Sequence, residues 1–308
     1  MIWAKLLLRR VSFFIFLVLL FTLFSLLLEN YREGSFVYDL AGQRSSPEEL
    51  QTLLLREGQS KGLWERFWQR STSILSFNFG NTLRGEPILP LVWEASQLTL
   101  ALSFVAAIFS FLYGYGCYVV ASFWEKANTY LIRLNYFILS TPIFVLALLF
   151  LWLFSLKWGF FPPGGTKGLW YILPSFTLAL KSGGRLALFY MEYRDVEESK
   201  GYVTTARAFG LSPYRIYLVH VFKNIFLPAV SFWLIDFSTY MAGAAIVESL
   251  FALPGLGSLL ISAFYQYDTA LMTACLVVAS FFVYLTNLVA ELLQNYYSRF
   301  YHKAESVF

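Results

Sequence analysis

Six uninterrupted apolar windows organise the chain: 11–28, 98–123, 134–156, 170–190, 224–247 and 271–290. Each approaches the roughly 20 residues a helix needs to cross a bilayer core. Four carry no charge; the fourth holds Lys181 and Arg185, and the fifth holds Asp236. The runs are continuous rather than alternating in ~10-residue segments, so they predict helices and not a membrane barrel. The first window follows Lys5, Arg9 and Arg10, as a signal peptide would. It exceeds the usual ~7–15-residue signal core, and Leu28-Glu29-Asn30-Tyr31 offers no small-residue cleavage site, so it reads as an uncleaved span. The pattern predicts an all-α integral membrane protein with six spans, a single transmembrane domain over 1–308.

Between the windows, charge sets an orientation. Lys5, Arg9, Arg10, Lys126, Arg133, Arg185, Arg194, Lys200, Arg207, Arg215, Lys223, Arg299 and Lys303 fall on one side, and only Lys157 and Lys167 occupy the short loops of the other. Basic residues mark the cytoplasmic side, which places both termini inside. Segment 29–97, more acidic than basic, is then an external insertion, long enough to escape a rule that weakens beyond about 60 residues. Within it, Pro47-Glu48-Glu49-Leu50 has the pattern of a helix start. Phe161-Pro162-Pro163-Gly164-Gly165 predicts a sharp external reversal before the fourth span. Segment 191–223 is the one long cytoplasmic loop.

Composition narrows the class further. Only 14% of the 308 residues are charged while 58% are hydrophobic, against ~25% charged in soluble domains. This excludes a soluble enzyme, and the 20% aromatic content excludes disorder. A net charge of +4 is too small and scattered for a nucleic-acid partner. Cys117 and Cys275 sit inside apolar runs away from any His, which predicts buried thiols and neither a disulfide framework nor a metal site.

The cytoplasmic loop carries the main local signal. Tyr202 to Phe209 is helix-compatible, and Gly210 stands where a left-handed C-terminal cap is wanted. Ser212 can cap a second helix beginning at Pro213, running through His220 and Asn224 until Pro228 disturbs it. A basic-flanked corner of this kind suits docking into another protein's groove; an amphipathic connector on the lipid surface is the plainer alternative.

The same stretch, Tyr202-Val203-Thr204-Thr205-Ala206-Arg207-Ala208-Phe209-Gly210-Leu211-Ser212 with Arg215, His220, Asn224 and Leu227-Pro228, resembles the coupling loop of one family. That family is the binding-protein-dependent ABC transporter permeases of the dipeptide/oligopeptide/nickel class. The resemblance continues in Ser140-Thr141-Pro142-Ile143-Phe144, in Gly243 through Gly257, in Tyr267-Asp268 and in Asn287-Leu288-Val289. Phe79-Gly80-Asn81-Thr82-Leu83 with Gly85-Glu86-Pro87-Ile88 is similar to the stretch these proteins carry before their second span. Several positions depart from the family pattern. Leu28-Glu29-Asn30-Tyr31 replaces a Pro-Gly-Asp-Pro, Phe209 stands where Lys is frequent, Met191 replaces an Arg, and only Ser298-Arg299 remains of a closing Asp-Pro-Arg. An acidic cluster, Glu192, Asp195, Glu197 and Glu198, precedes the loop.

The resemblance implies a six-span ABC importer permease fold, with 98–293 as the core permease region and 191–223 as the coupling loop. It implies a permease subunit in the bacterial inner membrane that takes up peptides, with nickel complexes as the alternative cargo. Implied partners are a second permease subunit, a distinct paralogue, with two cytoplasmic ATPase subunits and an external solute-binding protein. Residues implied in ATPase coupling are Tyr202, Ala206, Arg207, Ala208, Gly210, Leu211, Arg215, His220 and Asn224. Glu248 becomes a candidate for the translocation pathway, its plainer reading being a carboxylate snorkelling at the outer interface. Asp236, costing about 2.5–3.5 kcal/mol at mid-bilayer, reads as a buried pair with Lys181 or Arg185, four apart on one helix face, or as a pathway group sensing cationic cargo. Gly183-Gly184 permits close helix approach.

No residue pattern supports catalysis. There is no Gly-x-x-x-x-Gly-Lys-Ser/Thr phosphate loop, so ATP would be used by partner chains, and no cofactor or metal is expected on this one. An intramembrane enzyme would need a base in the spans, yet His220 and His302 both fall in the cytoplasm. A structural anchor or channel without an ATPase is the remaining alternative.

Overall fold

A computed structural model describes residues 2–31, 62–164 and 169–305, with side chains for 11–29, 62–164, 169–241 and 243–294. The Pro47-Glu48-Glu49-Leu50 helix start lies outside the described residues. Every regular element among them is helical: α1 (Ile2–Tyr31), α2 (Leu63–Leu75), α3 (Ile88–Phe123), α4 (Glu125–Ser140) and α5 (Ile143–Phe150), which continues into a π-helical turn, Leu151–Lys157. Then come α6 (Ile172–Glu198), α7 (Gly201–Ala208), α8, α9 (Leu256–Gln266) and α10 (Thr269–Glu305). Helix α8 is assembled from Pro213–Arg215, a π-helical stretch Ile216–Val221, and Phe222–Leu250.

Among the described residues, four helical stretches are long and apolar enough to cross a membrane: Val11–Glu29, Ile88–Phe123, Pro213–Met241 and Thr269–Gln294. The third apolar window is not one straight rod, as the sequence pattern suggested, but two helices, Glu125–Ser140 and Ile143–Lys157, bent by 103°. Pro142 explains the break: it pushes Thr141 into extended backbone (φ −78°, ψ 128°) and removes a donor from the next turn. Helix α6 has the length of a span, but Lys181 and Arg185 lower its hydropathy below that of the other four. Pro228 does not disturb α8, which runs through it; the irregularity is the π-helical stretch upstream.

The chain forms two compact units, Met1–Ser96 with Leu259–Phe281, and Gln97–Ser258 with Phe282–Phe308. In the first, Val18, Ile74 and Val277 bring α1, α2 and α10 together around Phe14, Phe21 and Phe79. Asp268 caps α10 by accepting from Leu271 N at 2.9 Å, and its other oxygen holds Leu83 N at 2.9 Å. In the second unit, one apolar cluster joins α3, α6 and α8 around Leu102, Leu178 and Tyr240. Another gathers Tyr118, Leu186, Tyr190, Val203, Ile216 and Ile225 where α7 meets the start of α8. Cys117 and Cys275 are free and buried, as their apolar settings predicted.

Candidate functional site

Helix α7 is fastened from beneath and open above. Val203 is fully buried, with Tyr202, Ala206 and Leu211 packed on the same cluster. The helix ends in a Schellman motif, the predicted glycine cap: Leu211 N donates to Ala206 O at 3.2 Å and Gly210 N to Arg207 O at 2.9 Å. Gly210 takes φ +75° with open space where a Cβ would stand, so the demand on glycine is conformational and not steric. Ser212 then caps α8, its hydroxyl accepting from Arg215 N at 3.5 Å, with Pro213 in the first turn. The corner turns Thr204, Thr205, Arg207, Ala208, Tyr214 and Arg215 outward. Phe209 is the most exposed apolar residue of the corner, at 82%.

Two carboxylates at the end of α6 lock this corner in place. Glu197 accepts from Lys200 Nζ at 2.5 Å, Tyr202 Oη at 2.8 Å and Asn224 Nδ2 at 3.3 Å, tying α6, α7 and α8 together. Glu198 accepts from Tyr217 Oη at 2.8 Å and pairs with Arg207. Burial works against ionisation of both, but these donors outweigh it and hold both carboxyls below the ordinary carboxylate range. The structure therefore assembles Tyr202, Arg207 and Asn224 into one network, with Gly210 and Leu211 forming the corner beside it. Ala206 lies on the packed side, while Ala208 and Arg215 are exposed. His220 stands apart in the π-helical stretch, its Nε2 buried without a partner. Sequence reasoning noticed the acidic cluster but gave Glu197 and Glu198 no role; their spacing to Lys200, Tyr202 and Arg207 was the available signal.

Asp236 meets Arg185 across α6 and α8, at 2.8 Å from Nη2 and 3.1 Å from Nε. Ser182 Oγ donates to the same carboxylate at 2.5 Å. Lys181 turns elsewhere, donating to Leu139 O at 3.0 Å near the C-terminal end of α4, where the break before Pro142 leaves carbonyls without helical partners.

Glu248 is fully buried at the end of α8. Its carboxylate accepts from Thr99 Oγ1 at 2.5 Å, Gly257 N at 2.9 Å and Ser258 N at 3.1 Å, which caps the start of α9. Thr99 in turn accepts from Leu256 N at 2.8 Å. A Cβ on Gly255 would stand 2.2 Å from the Glu248 carboxyl carbon, so only glycine lets the chain pass this close. In this chain Glu248 is a turn-closing group and offers no free oxygen to a snorkelling position. Thr99, 149 residues away, was not readable as its partner.

Among the described residues no group of His, Cys, Asp and Glu could hold a metal ion. An all-helical membrane domain with an outward-facing, carboxylate-braced corner between two spans has the construction of a transport permease. The chain belongs to the family of binding-protein-dependent transport system inner membrane components, whose model matches residues 114–303. It is 28% identical over 262 residues to the glutathione transport system permease protein GsiC of Escherichia coli (strain K12), covering 82% of this chain and 84% of that one. It is 27% identical over 302 residues to a putative peptide transport system permease protein of Brucella abortus (strain 2308), covering 94% and 96%. The fold matches an inward-facing structure of the MetNI methionine ABC transporter with a TM-score of 0.56 and 22% identity, over 68% of this chain and 98% of that one. The protein is a permease subunit of an ABC importer.

Proposed function

We propose that this permease imports peptides or peptide-like solutes, working with a second permease, two cytoplasmic ATPases and an external solute-binding protein. The observation that carries the coupling role is the braced corner: Glu197 and Glu198 fix α7 from below while Phe209, Tyr214 and Arg215 face outward. A rigid arm ending in an exposed aromatic transmits a push, because its motion is conveyed to α6 and α8 through Glu197 rather than dissipated in the loop. ATP-driven closure of the ATPases would bias the spans between two states, the ATPase supplying the differential affinity. The chain itself needs no cofactor and no ATPase site in this reading. Under it both termini and segment 191–223 are cytoplasmic and 29–97 is external, in the bacterial inner membrane.

Tyr202, Ala206, Arg207, Ala208, Gly210, Leu211, Arg215, His220 and Asn224 form or support the ATPase-docking corner. The peptide reading rests on the likeness to permeases named for glutathione and for peptide transport. Asp236 and Glu248 hold their spans in register in this reading, with the exposed edge of Arg185 left beside Asp236.

The test is uptake in proteoliposomes holding this chain with its co-expressed permease and ATPases. ATP-dependent accumulation of labelled di- to pentapeptides, stimulated by the external binding protein, is the expected result. Accumulation of nickel complexes and no peptide would replace the cargo. Peptide flux without ATPase subunits would overturn the importer mechanism.

A further inference from the structure

Helix α2 has three distinct faces. Phe67, Ser71 and Ile74 are buried with the largely buried Arg66 and Arg70; Trp64, Trp68 and Leu75 form an exposed apolar stripe. The third face is polar, with Glu65, Gln69 and Thr72. The buried face runs along α1 in the opposite direction. At its start, Arg66 and Arg70 pair with Glu29 at 3.0 and 2.9 Å, and Thr269 Oγ1 joins the same carboxylate at 3.3 Å. Glu29 ends the apolar stretch Val11–Glu29, and Thr269 begins the apolar stretch Thr269–Gln294, so this level is where two spans leave the bilayer. At its far end, Ile74 packs with Val18 and Val277, well inside both apolar stretches. At 1.5 Å per residue, Thr269 to Val277 and Arg66 to Ile74 each descend about 12 Å, and Glu29 to Val18 about 16 Å. Three helices thus agree on a depth of nearly half a bilayer core of about 30 Å.

Polarity along α2 follows the same gradient. Glu65, Arg66, Gln69 and Arg70 all lie in the first two turns, near Glu29, and the last turns carry no charge. The exposed hydroxyls beyond them are satisfied by their own helix, Thr72 Oγ1 donating to Trp68 O at 2.9 Å and Ser76 Oγ to Thr72 O at 2.9 Å, while Ser71 Oγ is buried against the packed face without a partner among the described residues. Exposed hydroxyls that find partners within their own helix are what a hydrocarbon setting requires. The chain then returns, since Phe79 still packs at the depth of Ile74 while Leu83 N bonds Asp268 at the upper level.

We propose that α2 and the turn after it form a re-entrant element seated in the bilayer against α1 and α10, with Trp64, Trp68 and Leu75 in contact with lipid. On α1, against which α2 packs, Leu20, Phe24 and Leu27 are likewise exposed. Trp64 and Trp68, near the Glu29 level, occupy the headgroup region that tryptophan favours, and Leu75 lies deeper.

The experiment places single fluorescent labels on the full chain in lipid nanodiscs, with Cys117 and Cys275 replaced by Ala. Trp68→Cys and Leu75→Cys report the stripe, and Glu86→Cys in the exposed turn reports water. Nitroxide lipids should quench the Leu75 position several-fold more than the Glu86 position, the deep nitroxide acting best. The Trp68 position should favour the shallow nitroxide, and aqueous iodide should rank all three sites in reverse. Trp64→Cys supplies a further stripe position should either variant fail to accumulate. Iodide quenching at the stripe equal to that at Glu86 overturns the proposal. So does shielding that appears only when the binding protein is added, which would make the stripe a protein-docking face. Neither result touches the import function.

Discussion

The Arg185 guanidinium grips the Asp236 carboxylate at two points, joining α6 to α8, while Lys181 four residues away serves a different helix. The two basic residues therefore have separable consequences. Breaking a buried pair costs about 3–5 kcal/mol. The Arg185 side chain is 35% exposed, so the loss here falls toward or below the lower end. Arg185→Gln should lower membrane abundance more than Asp236→Asn, because it strands the more buried partner. Arg185→Gln with Asp236→Asn should recover abundance toward wild type. Lys181→Met should neither rescue nor be rescued by Asp236→Asn. Quantitative blotting of membrane fractions reads every single and double variant, and rescue of Asp236→Asn by Lys181→Met would contradict the pairing.

Glu248 closes the turn into α9 with three accepted hydrogen bonds, and removing it leaves the partly buried Gly257 and Ser258 backbone donors without their acceptor. At about 1–3 kcal/mol for each unsatisfied group, Glu248→Ala should cost at least about 2 kcal/mol. Glu248→Gln keeps one acceptor oxygen and should cost less, with Thr99→Val between them or below. Thermal unfolding of the detergent-solubilised protein should rank the Tm values in that order. A Glu248→Ala variant as stable as wild type would remove the carboxylate from its capping role.

What was legible in the sequence was local. Gly210 followed by Ser212-Pro213 announces a left-handed cap and a fresh helix start within four residues, and the structure has both. The apolar windows gave the helices, yet the third hid a 103° break. Thr141-Pro142 stands in plain view there, but window hydropathy averages over it. Asp236 invited a basic partner, and two were in reach; choosing between them required the α4 carbonyl that claims Lys181, and no sequence displays a free carbonyl. Thr99 and Glu248 meet only after two spans pack, so neither names the other. The brace of Glu197 and Glu198 was missed because an acidic run reads as a solvated face until Tyr202, Tyr217 and Asn224 are folded over it.

At Gly210 the barrier to substitution is the positive φ alone. A left-handed residue with a Cβ costs roughly 1–2 kcal/mol, and asparagine tolerates it best. Gly210→Asn should leave transport near wild type, whereas Gly210→Val should impair uptake and ATPase co-purification with insertion intact. Equal behaviour of the two variants would mean that the corner's backbone conformation does not matter for coupling.

The corner should also loosen in acid. Glu197 and Glu198 are held below the ordinary carboxylate range, so their contribution is fully present above about pH 4.3, the unperturbed glutamate value. It is lost as pH falls from there through the lowered folded values. Hydrogen exchange of α7 amides should quicken over that interval, and Glu197→Gln should show faster exchange already at neutral pH with a flatter acid response. Exchange rates in α7 that are indifferent to Glu197→Gln would show that the brace does not hold the helix.

Phe209, exposed at the tip of the corner, gives the most direct reading of the central claim. A photo-crosslinking phenylalanine analogue placed at 209 in cells should capture a cytoplasmic phosphate-loop ATPase, identified by mass, and Gly210→Val in the same chain should weaken the adduct. An analogue at exposed Phe77 should capture no ATPase. If position 209 captures only lipid or this chain, or reacts with an impermeant reagent from outside the cell, the corner is not where the permease meets its motor.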